Sequence, residues 1–199
     1  FPTQYYPYNL AKAESLLDSA GFKKDGNGSR FKISIIHEQK NSNHPKVLDI
    51  MRSNLKAAGI ELNVMKMDAA AITEKVHKKM DYDMYITTIA TGPDPDLLTK
   101  SWHSINIGKG WNANSSGYSN KKIDDLLDNG RGELDPKKRK KMYIEAHQIL
   151  AEDIPMLPLY GTKWLWTYNE NLDGFPIGYT FRDGLETVNW NGKVPNNRK

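Results

Sequence analysis

Histidine and acidic side chains are the residues of this 199-residue chain best suited to catalysis or metal binding. His37-Glu38 is not followed by the second histidine that a zinc-binding helix requires, and the remaining histidines show no ligand spacing. The chain has no cysteine, which excludes disulfides, thiolate metal sites and thiol nucleophiles. We therefore interpret the histidines as ordinary polar residues and predict neither a metal site nor a cofactor.

Motifs of other enzyme classes are also missing from the sequence. No Gly-x-Ser-x-Gly nucleophile motif occurs. The glycine pair in 26–28 precedes a predicted strand rather than a helix, so it is unsuited to holding a phosphate. Asp94 and Asp96 alternate with prolines, a pattern typical of a helix cap. We predict that the chain is not an enzyme; a small hydrolase using Asp94, Asp96 and His103 is the alternative.

Positive charge is concentrated in one short run of the sequence. The chain has 28 Lys+Arg and 24 Asp+Glu, a net charge of +4. Residues 137–141 are all basic, and without these five the rest of the chain carries 4 − 5 = −1. Because a nucleic-acid interface usually draws on several elements, we interpret the run as a solvated helical face. No nucleic-acid partner is predicted, although a basic nucleic-acid-binding α/β domain is kept as an alternative function.

Helical and strand patterns alternate in the first half of the chain. Apolar residues at helical spacing predict a helix over 10–20 and a second one from Asn43 to Gly59. Strand patterns cover 31–35, 60–64 and 82–89, and a short helix is predicted over 69–79. Short connections between such elements are typical of an α/β fold with a mainly parallel sheet flanked by helices, which is the fold class we predict.

The second half is predicted to be largely helical. Asp94-Pro95-Asp96 begins a short helix that reaches Trp102, and a glycine- and asparagine-rich loop follows over 106–119. Further helices are predicted after a cap at Asn120 or Ser119 and after Asp135-Pro136, and a returning strand over 156–160. Residues from about 161 carry many aromatics without periodicity. No apolar run approaches the length of a transmembrane helix.

Four blocks of sequence stand out by their order and spacing. They are Asn9 to Phe22 with the Asp25-Gly-Asn-Gly-Ser-Arg-Phe turn, Tyr82-Asp-Met leading to Gly92-Pro-Asp-Pro-Asp, Gly117-Tyr-Ser-Asn with Ile123-Asp-Asp-Leu-Leu, and Asp135-Pro with Tyr143 to Tyr160. In this order they resemble the extracellular solute-binding proteins of family 5, which are the oligopeptide, dipeptide and nickel receptors of bacterial and archaeal ABC importers. Each block alone is a weak signal, whereas four in register are a strong one.

The resemblance implies a chain of two lobes that close on a ligand, in a fold of the type II periplasmic-binding-protein kind. It implies that residues 1–160 form the second, C-terminal lobe, and that 161–199 return to pack on a first lobe missing from this sequence. The implied function is the substrate-binding component of an ABC importer, which delivers a peptide or other small solute to the permease. Such proteins are extracellular or periplasmic, anchored by an N-terminal lipid or free, and are expected to be monomers. A receptor for signalling rather than uptake is the alternative within the family.

The resemblance also implies a ligand-facing loop after the 82–89 strand. Peptide-binding members have a Trp near the strand end and then an Asp that pairs with the peptide amine, whereas 89–92 read Ile-Ala-Thr-Gly. The nickel-binding branch has a His directly after the Asp-Pro, where this chain has Asp96. A neutral or sugar-like solute, or a peptide held by other contacts, is therefore expected. The predicted ligand-binding residues are Thr88, Ile89, Ala90, Thr91, Gly92, Asp94, Trp102, Asn114 and Tyr118; for Trp102 and Tyr118, core packing is the alternative role.

Overall fold

The computed structural model describes residues 6–89, 92, 94–111, 113–161, 167–174 and 188–192. The chain divides into two units. The first consists of Phe1–Thr91 and Pro95–Met156, and the second of Gly92–Asp94 and Leu157–Lys199. The first unit contains a parallel sheet and all the described helices, and the second contains a short antiparallel pair of strands.

The sheet of the first unit has three parallel strands, β1 (Phe31–Glu38), β2 (Ile60–Met67) and β3 (Met84–Ile86). Their order is β2-β1-β3, so the first strand in sequence is the central one. This arrangement confirms the predicted α/β class with a parallel sheet. β3 is shorter than predicted: the residue before it, Asp83, uses its carboxylate to accept hydrogen bonds from the backbone and hydroxyl of Ser34, at 2.7 and 2.6 Å.

Two helices in the first half begin and end where the sequence predicts. α1 (Leu10–Ser19) is capped by the side chain of Asn9, and α2 (His44–Ala57) has a proline in its first turn. After α2 the chain turns through Gly59, whose φ is +83°. A Cβ at this position would lie 2.8 Å from the carbonyl oxygen of Gly28, so the turn requires glycine.

The connection between β2 and β3 is only partly an α-helix. α3 (Ala69–Ile72) is capped by Asp68 and continues as a π-helical segment over Thr73–Lys78. The single helix predicted over 69–79 is therefore wrong in its second part, where the backbone widens before Met80 adopts a φ of 53°.

Apolar clusters cover both faces of the sheet, as period-two alternation along the central strand requires. On the α2 face, Ile35 packs with Leu48, Leu62 and Ile86. On the opposite face, the neighbouring Ile36 is fully buried against residues of α3 and the π-helical segment. Burial on both faces explains the apolar composition of β1.

The rest of the first unit is helical, with α4 (Leu97–Trp102), a 3₁₀ turn (Ser104–Asn106), α5 (Lys121–Gly132) and α6 (Pro136–Asp153). The side chains of Asn120 and Asp135 cap α5 and α6, which confirms both predicted helix starts. These helices enclose a separate apolar core consisting of Trp102, Ile123, Leu127, Tyr143 and Ala146.

The second unit contains β4 (Leu172–Asp173) and β5 (Asn189–Trp190), which pair antiparallel. The strand predicted over 156–160 is wrong: this segment is irregular, and no described segment supplies the partner strand that would satisfy its backbone. Among the described residues no helix is long and apolar enough to cross a membrane.

Candidate ligand-binding edge of the sheet

The order of the strands places a crevice at the carboxyl edge of the sheet. The chain leaves β1 for β2 on one side and then crosses to β3 on the other, so the connections diverge between β1 and β3. Open parallel sheets bind ligands at this switch point, beyond the carboxyl ends of the strands. Here it lies between Glu38, the last residue of β1, and the loop that follows Ile86.

Strand register determines which side chains share a face at this edge. Ile36 is opposite Tyr85 and His37 is opposite Ile86 in the parallel ladder. Because side chains alternate, Glu38 lies on the same face as Ile36, and Thr87 on the same face as Tyr85. We refer to Glu38, Tyr85, Thr87 and Thr88 as the switch-point edge.

Burial and charge at the switch-point edge both act on Tyr85. Burial raises the pKa of its phenol, a hydrogen bond with Thr87 works in the opposite direction, and the negative charge of Glu38 raises the pKa further. Thr87 and Thr88 are exposed and Glu38 is half-buried. The edge therefore presents hydroxyl groups and a carboxylate beside a partly desolvated phenol.

A pair of buried histidines lies next to this edge. His37 on β1 and His44 at the start of α2 are 5% and 3% exposed, and their ring centroids are 6.2 Å apart in an edge-to-face arrangement. Nδ1 of His44 has no hydrogen-bond partner in the ranges that the structure describes. Burial, followed by the neighbouring His37, lowers the pKa of His44, so this imidazole is held neutral.

The predicted ligand loop is only partly within the described residues. Thr88 and Ile89 follow β3 directly and are exposed, as a ligand-facing position requires. Ala90 and Thr91 lie outside the described residues. Gly92 and Asp94 belong to the second unit, where Gly92 is half-buried and Asp94 exposed. The assignment of these positions to a ligand stays a prediction.

The other three predicted ligand residues lie together in the helical part of the first unit. Trp102 is 7% exposed and Asn114 is 1% exposed. The rings of Trp102 and Tyr118 meet edge to face with centroids 6.4 Å apart, and the amide of Asn114 donates to the carbonyl of Tyr118 at 2.8 Å. The structure gives each of them a packing or loop-bracing role, and their contact with a ligand stays a prediction.

A groove of about 520 Å³ lies between α4 and α5. Asp96 accepts two hydrogen bonds from Nε of Arg131, each of 3.2 Å, and one from its Nη2 at 3.1 Å. His103 accepts the backbone N–H of Ile105 at Nδ1, so its neutral ring carries the proton on Nε2, 3.3 Å from Asp128. Because these charged groups pair with one another, the groove is better suited to joining the two helices than to holding a solute. The lining residues are Asp96, Leu97, Thr99, Lys100, His103, Ile105, Asn106, Asp128 and Arg131.

The geometry does not favour covalent or metal chemistry at these positions. Asp96 is a member of the alternative hydrolase site, but its carboxylate pairs with Arg131 and accepts a 2.9 Å hydrogen bond from the hydroxyl of Thr99. Within the described ranges no three His, Asp or Glu side chains are grouped closely enough to hold a metal ion. What the switch-point edge offers is hydrogen bonding and charge, which suits reversible binding.

Sequence reasoning missed three residues of this edge: Glu38, Tyr85 and Thr87. In the sequence pattern Glu38 belongs only to an incomplete zinc motif, and Tyr85 and Thr87 are interior positions of the strand predicted over 82–89. The signal that would have identified them is the strand order, because it brings the ends of β1 and β3 together at the switch point.

Comparison with known proteins places the chain among solute receptors. A family model described as "Bacterial extracellular solute-binding proteins, family 5 Middle" matches residues 1–109. The glutathione-binding protein GsiB of Escherichia coli K12 is 28% identical over 187 residues, which cover 89% of this chain and 36% of GsiB. The chain thus spans about a third of the length of this relative.

Two solved structures have the same fold. The oligopeptide-binding protein AppA of Bacillus subtilis, solved with a nonapeptide, has a TM-score of 0.69 and 25% identity over 97% of this chain and 40% of AppA. NikZ of Campylobacter jejuni, solved with Ni(L-His), has a TM-score of 0.67 and 25% identity over 75% of this chain and 31% of NikZ. Together with the family match over more than half of its length, these similarities show that the chain belongs to the bacterial extracellular solute-binding proteins of family 5.

Proposed function

We propose that this chain is part of the substrate-binding component of an ABC importer, which captures a peptide or another small solute outside the membrane and delivers it to the permease. The observation that carries the proposal is the match to family 5 in a chain whose sheet exposes hydroxyl groups at its switch point. GsiB, by its name, binds glutathione, and AppA was solved with a nonapeptide. Small peptides are therefore the first solutes to test.

The proposed mechanism is capture without chemical change. A ligand that contacts both lobes binds the closed form more tightly than the open form, and this difference in affinity drives closure. The ligand contacts of this chain would come from the switch-point edge and the loop over 88–92. Polar side chains that are exposed before closure suit this role, because they exchange water for ligand hydrogen bonds.

We further propose that residues 1–160 form the second lobe and that 161–199 pack on a first lobe that this sequence does not contain. The exposed apolar side chains of 157–160, directly before this segment, support the proposal. Leu157 is 62% exposed, Leu159 41% and Tyr160 50%, and exposed apolar groups so close together are typical of a surface that another part of a protein covers. The full-length protein would be a monomer outside the cytoplasmic membrane, either lipid-anchored or free.

The experiment that tests the function is to purify the full-length protein under mild conditions and identify the bound solute by mass spectrometry. We expect a small molecule at near-stoichiometric amounts that rebinds after removal. Absence of any bound or rebinding solute, across peptides, sugars and metal chelates, would contradict a receptor role.

The two-lobe arrangement has its own test. The 199-residue chain supplies only one side of the proposed clamp, so it is expected to bind the identified solute far more weakly than the full-length protein. Isothermal titration calorimetry of both proteins measures this difference. Equal affinities would show that the second lobe alone forms the site, and the clamp proposal would then fail while the receptor role stands.

A further inference from the structure

The carboxylate of Glu38, at the switch-point edge, has no partner among the described residues. Glu38 is the last residue of β1 and is half-buried. Its backbone carbonyl accepts a hydrogen bond from the N–H of Asn41 at 3.2 Å, but no hydrogen bond or ion pair to its carboxylate occurs among the described residues. Both oxygens of this carboxylate are therefore available to accept hydrogen bonds from a ligand.

No neighbouring cation neutralises the charge of this carboxylate among the described residues. Burial and then the negative charge of Glu38 raise the pKa of Tyr85, against a hydrogen bond with Thr87. At His44 the same charge only partly offsets the lowering of the pKa by burial and by His37. The nearest lysine on the neighbouring strand, Lys66, is opposite His37 and therefore on the other face of the sheet. Lys40 follows two residues later and is exposed. Neither lysine pairs with Glu38 in the described structure.

The side chains of this edge are suited to bind a cationic group that has several hydrogen-bond donors. An ionised carboxylate only accepts hydrogen bonds, and the oxygens of Tyr85 and Thr87 add two further acceptors on the same face. A primary ammonium has three donors and no acceptor, so it satisfies such a set, and the charge makes its bond to the carboxylate strong. A metal ion is less suited, since the edge has a single carboxylate and belongs to no group of three possible ligands within the described ranges.

We propose that Glu38 binds the primary ammonium group of the transported solute, with the hydroxyl oxygens of Tyr85 and Thr87 as additional acceptors. This inference rests on the proposed function and narrows it, because it selects amine-bearing solutes over neutral ones. It also gives this chain an anchor for a peptide amine, in a sequence where the Asp expected in the loop over 89–92 is absent. The anchor lies on β1 instead of after β3.

The test compares free and blocked amines on the full-length protein that contains this chain. Ala-Ala-Ala and glutathione serve as probes, each next to its N-acetyl derivative, and calorimetry measures the four affinities for the parent, for Glu38→Gln and for Glu61→Gln. Glu61 is the matched control, because it is exposed near the opposite end of β2 and pairs with Lys32 at 2.7 Å. Thermal melts followed by circular dichroism show that each variant is folded.

We expect the parent to bind at least one free amine about tenfold or more tightly than its acetylated form, the usual effect of a hydrogen-bonded charge. Glu38→Gln should remove this preference and leave the acetylated probes unchanged, while Glu61→Gln keeps it. If Glu38→Gln retains the preference, or weakens both forms equally, the inference is wrong and the receptor role still stands. If the parent binds neither free amine, the inference is also wrong; the receptor role fails separately, when no solute of any class is found.

Discussion

The phenol of Tyr118 donates a 2.5 Å hydrogen bond to Oδ2 of Asp153, the last residue of α6. Asn120, the cap of α5, donates to the same oxygen at 3.2 Å. One carboxylate therefore holds both the long loop after α4 and the start of α5 against the end of α6. The edge-to-face contact of Tyr118 with Trp102 extends this connection into the helical core.

Replacement of Tyr118 by phenylalanine removes the hydrogen bond and keeps the ring. We expect the free energy of unfolding to fall by about 1 kcal/mol, since the acceptor is charged but partly solvated. Urea denaturation measures the change. Tyr8→Phe is the control, because Tyr8 is 77% exposed and should lose almost nothing. Equal stability of Tyr118→Phe and the parent would show that the bond does not hold the loop.

The same bond predicts a pH dependence in the alkaline range. Burial, then the hydrogen bond to Asp153, raises the pKa of Tyr118 from 10.0 to about 12. A folded pKa above the unfolded one means that the stabilisation is complete below pH 10.0 and is lost as the pH rises towards 12. Tyr118→Phe should therefore lose less stability than the parent between these pH values, as measured by urea denaturation. Equal losses of stability in the parent and in Tyr118→Phe would show that the phenol of Tyr118 is not the source of the pH dependence.

Asn114 organises the loop between α4 and α5 through both ends of its amide. Its Nδ2 donates to the carbonyls of Tyr118 and His103, at 2.8 and 3.4 Å, and its Oδ1 accepts from Ser116 at 3.0 Å. Asn114→Asp replaces the donor with an oxygen that faces two carbonyls in a buried site, so we expect a loss of about 2–3 kcal/mol in the free energy of unfolding. Ser116→Ala removes the bond to Oδ1 of Asn114 and the long 3.3 Å bond that Ser116 Oγ accepts from the backbone N–H of Tyr118, both at the less buried side of the loop, and should cost less than half of that. A smaller effect for Asn114→Asp than for Ser116→Ala would contradict this role.

Gly130 in α5 is in close contact with Tyr143 of α6. A Cβ at Gly130 would lie 3.0 Å from Cε2 and 3.1 Å from Cζ of this ring. The ring is 4% exposed and is held by the guanidinium of Arg139, 5.0 Å from its centroid, so it has little room to move. We expect Gly130→Ala to lower the free energy of unfolding by about 1–3 kcal/mol through overpacking, despite the better helix propensity of alanine.

Gly132, two residues later in the same helix, provides the matched control for this change. Apart from its chain neighbours and the backbone of its own helix, no described atom lies within 4 Å of a Cβ built there. Gly132 is the last residue of α5, so Gly132→Ala should stabilise the protein by about 0.5 kcal/mol or less through helix propensity. Thermal denaturation of the two variants measures the opposite signs. A stabilising Gly130→Ala would show that Tyr143 can move aside and that the two helices are not tightly packed at this point.

Local signals in the sequence predicted most of the helices correctly, because a helix start depends on neighbouring residues. Asn9, Asn120 and Asp135 each cap the helix that follows them, as their side chains and positions predicted. Strand pairing depends on distant residues instead, so neither the order of the strands nor the early end of β3 could be read from the pattern. The segment over 156–160 has the composition of a strand but no described partner.

The same contrast applies to the candidate site. The resemblance to family 5 directed attention to the loop after β3, where Thr88 and Ile89 are indeed exposed, although their contact with a ligand stays a prediction. Glu38 is about fifty positions away in sequence from that loop, and only the parallel pairing of β1 with β3 brings it to the same edge. Trp102 and Asn114 have residue types common in binding sites, but their local sequence does not show that Trp102 packs into the core with α5 and α6, or that Asn114 is buried and bonded to the carbonyls of His103 and Tyr118.

The buried imidazole of His77 should make the protein less stable in mild acid. His77 is 4% exposed, and its ring meets that of Tyr85 edge to face with centroids 5.7 Å apart. Neither of its ring nitrogens has a hydrogen-bond partner within the described part of the chain. Burial lowers its pKa below the ordinary 6.5, so the unfolded chain binds the proton more readily, and stability falls as the pH drops below 6.5. His77→Leu removes the buried polar ring, and we expect it to be more stable than the parent at pH 5.5, with a smaller difference between pH 7.5 and 5.5. Urea denaturation at both pH values measures the free energy of unfolding. If His77→Leu keeps the pH dependence of the parent, the acid sensitivity comes from other groups, of which His44 is the first to test.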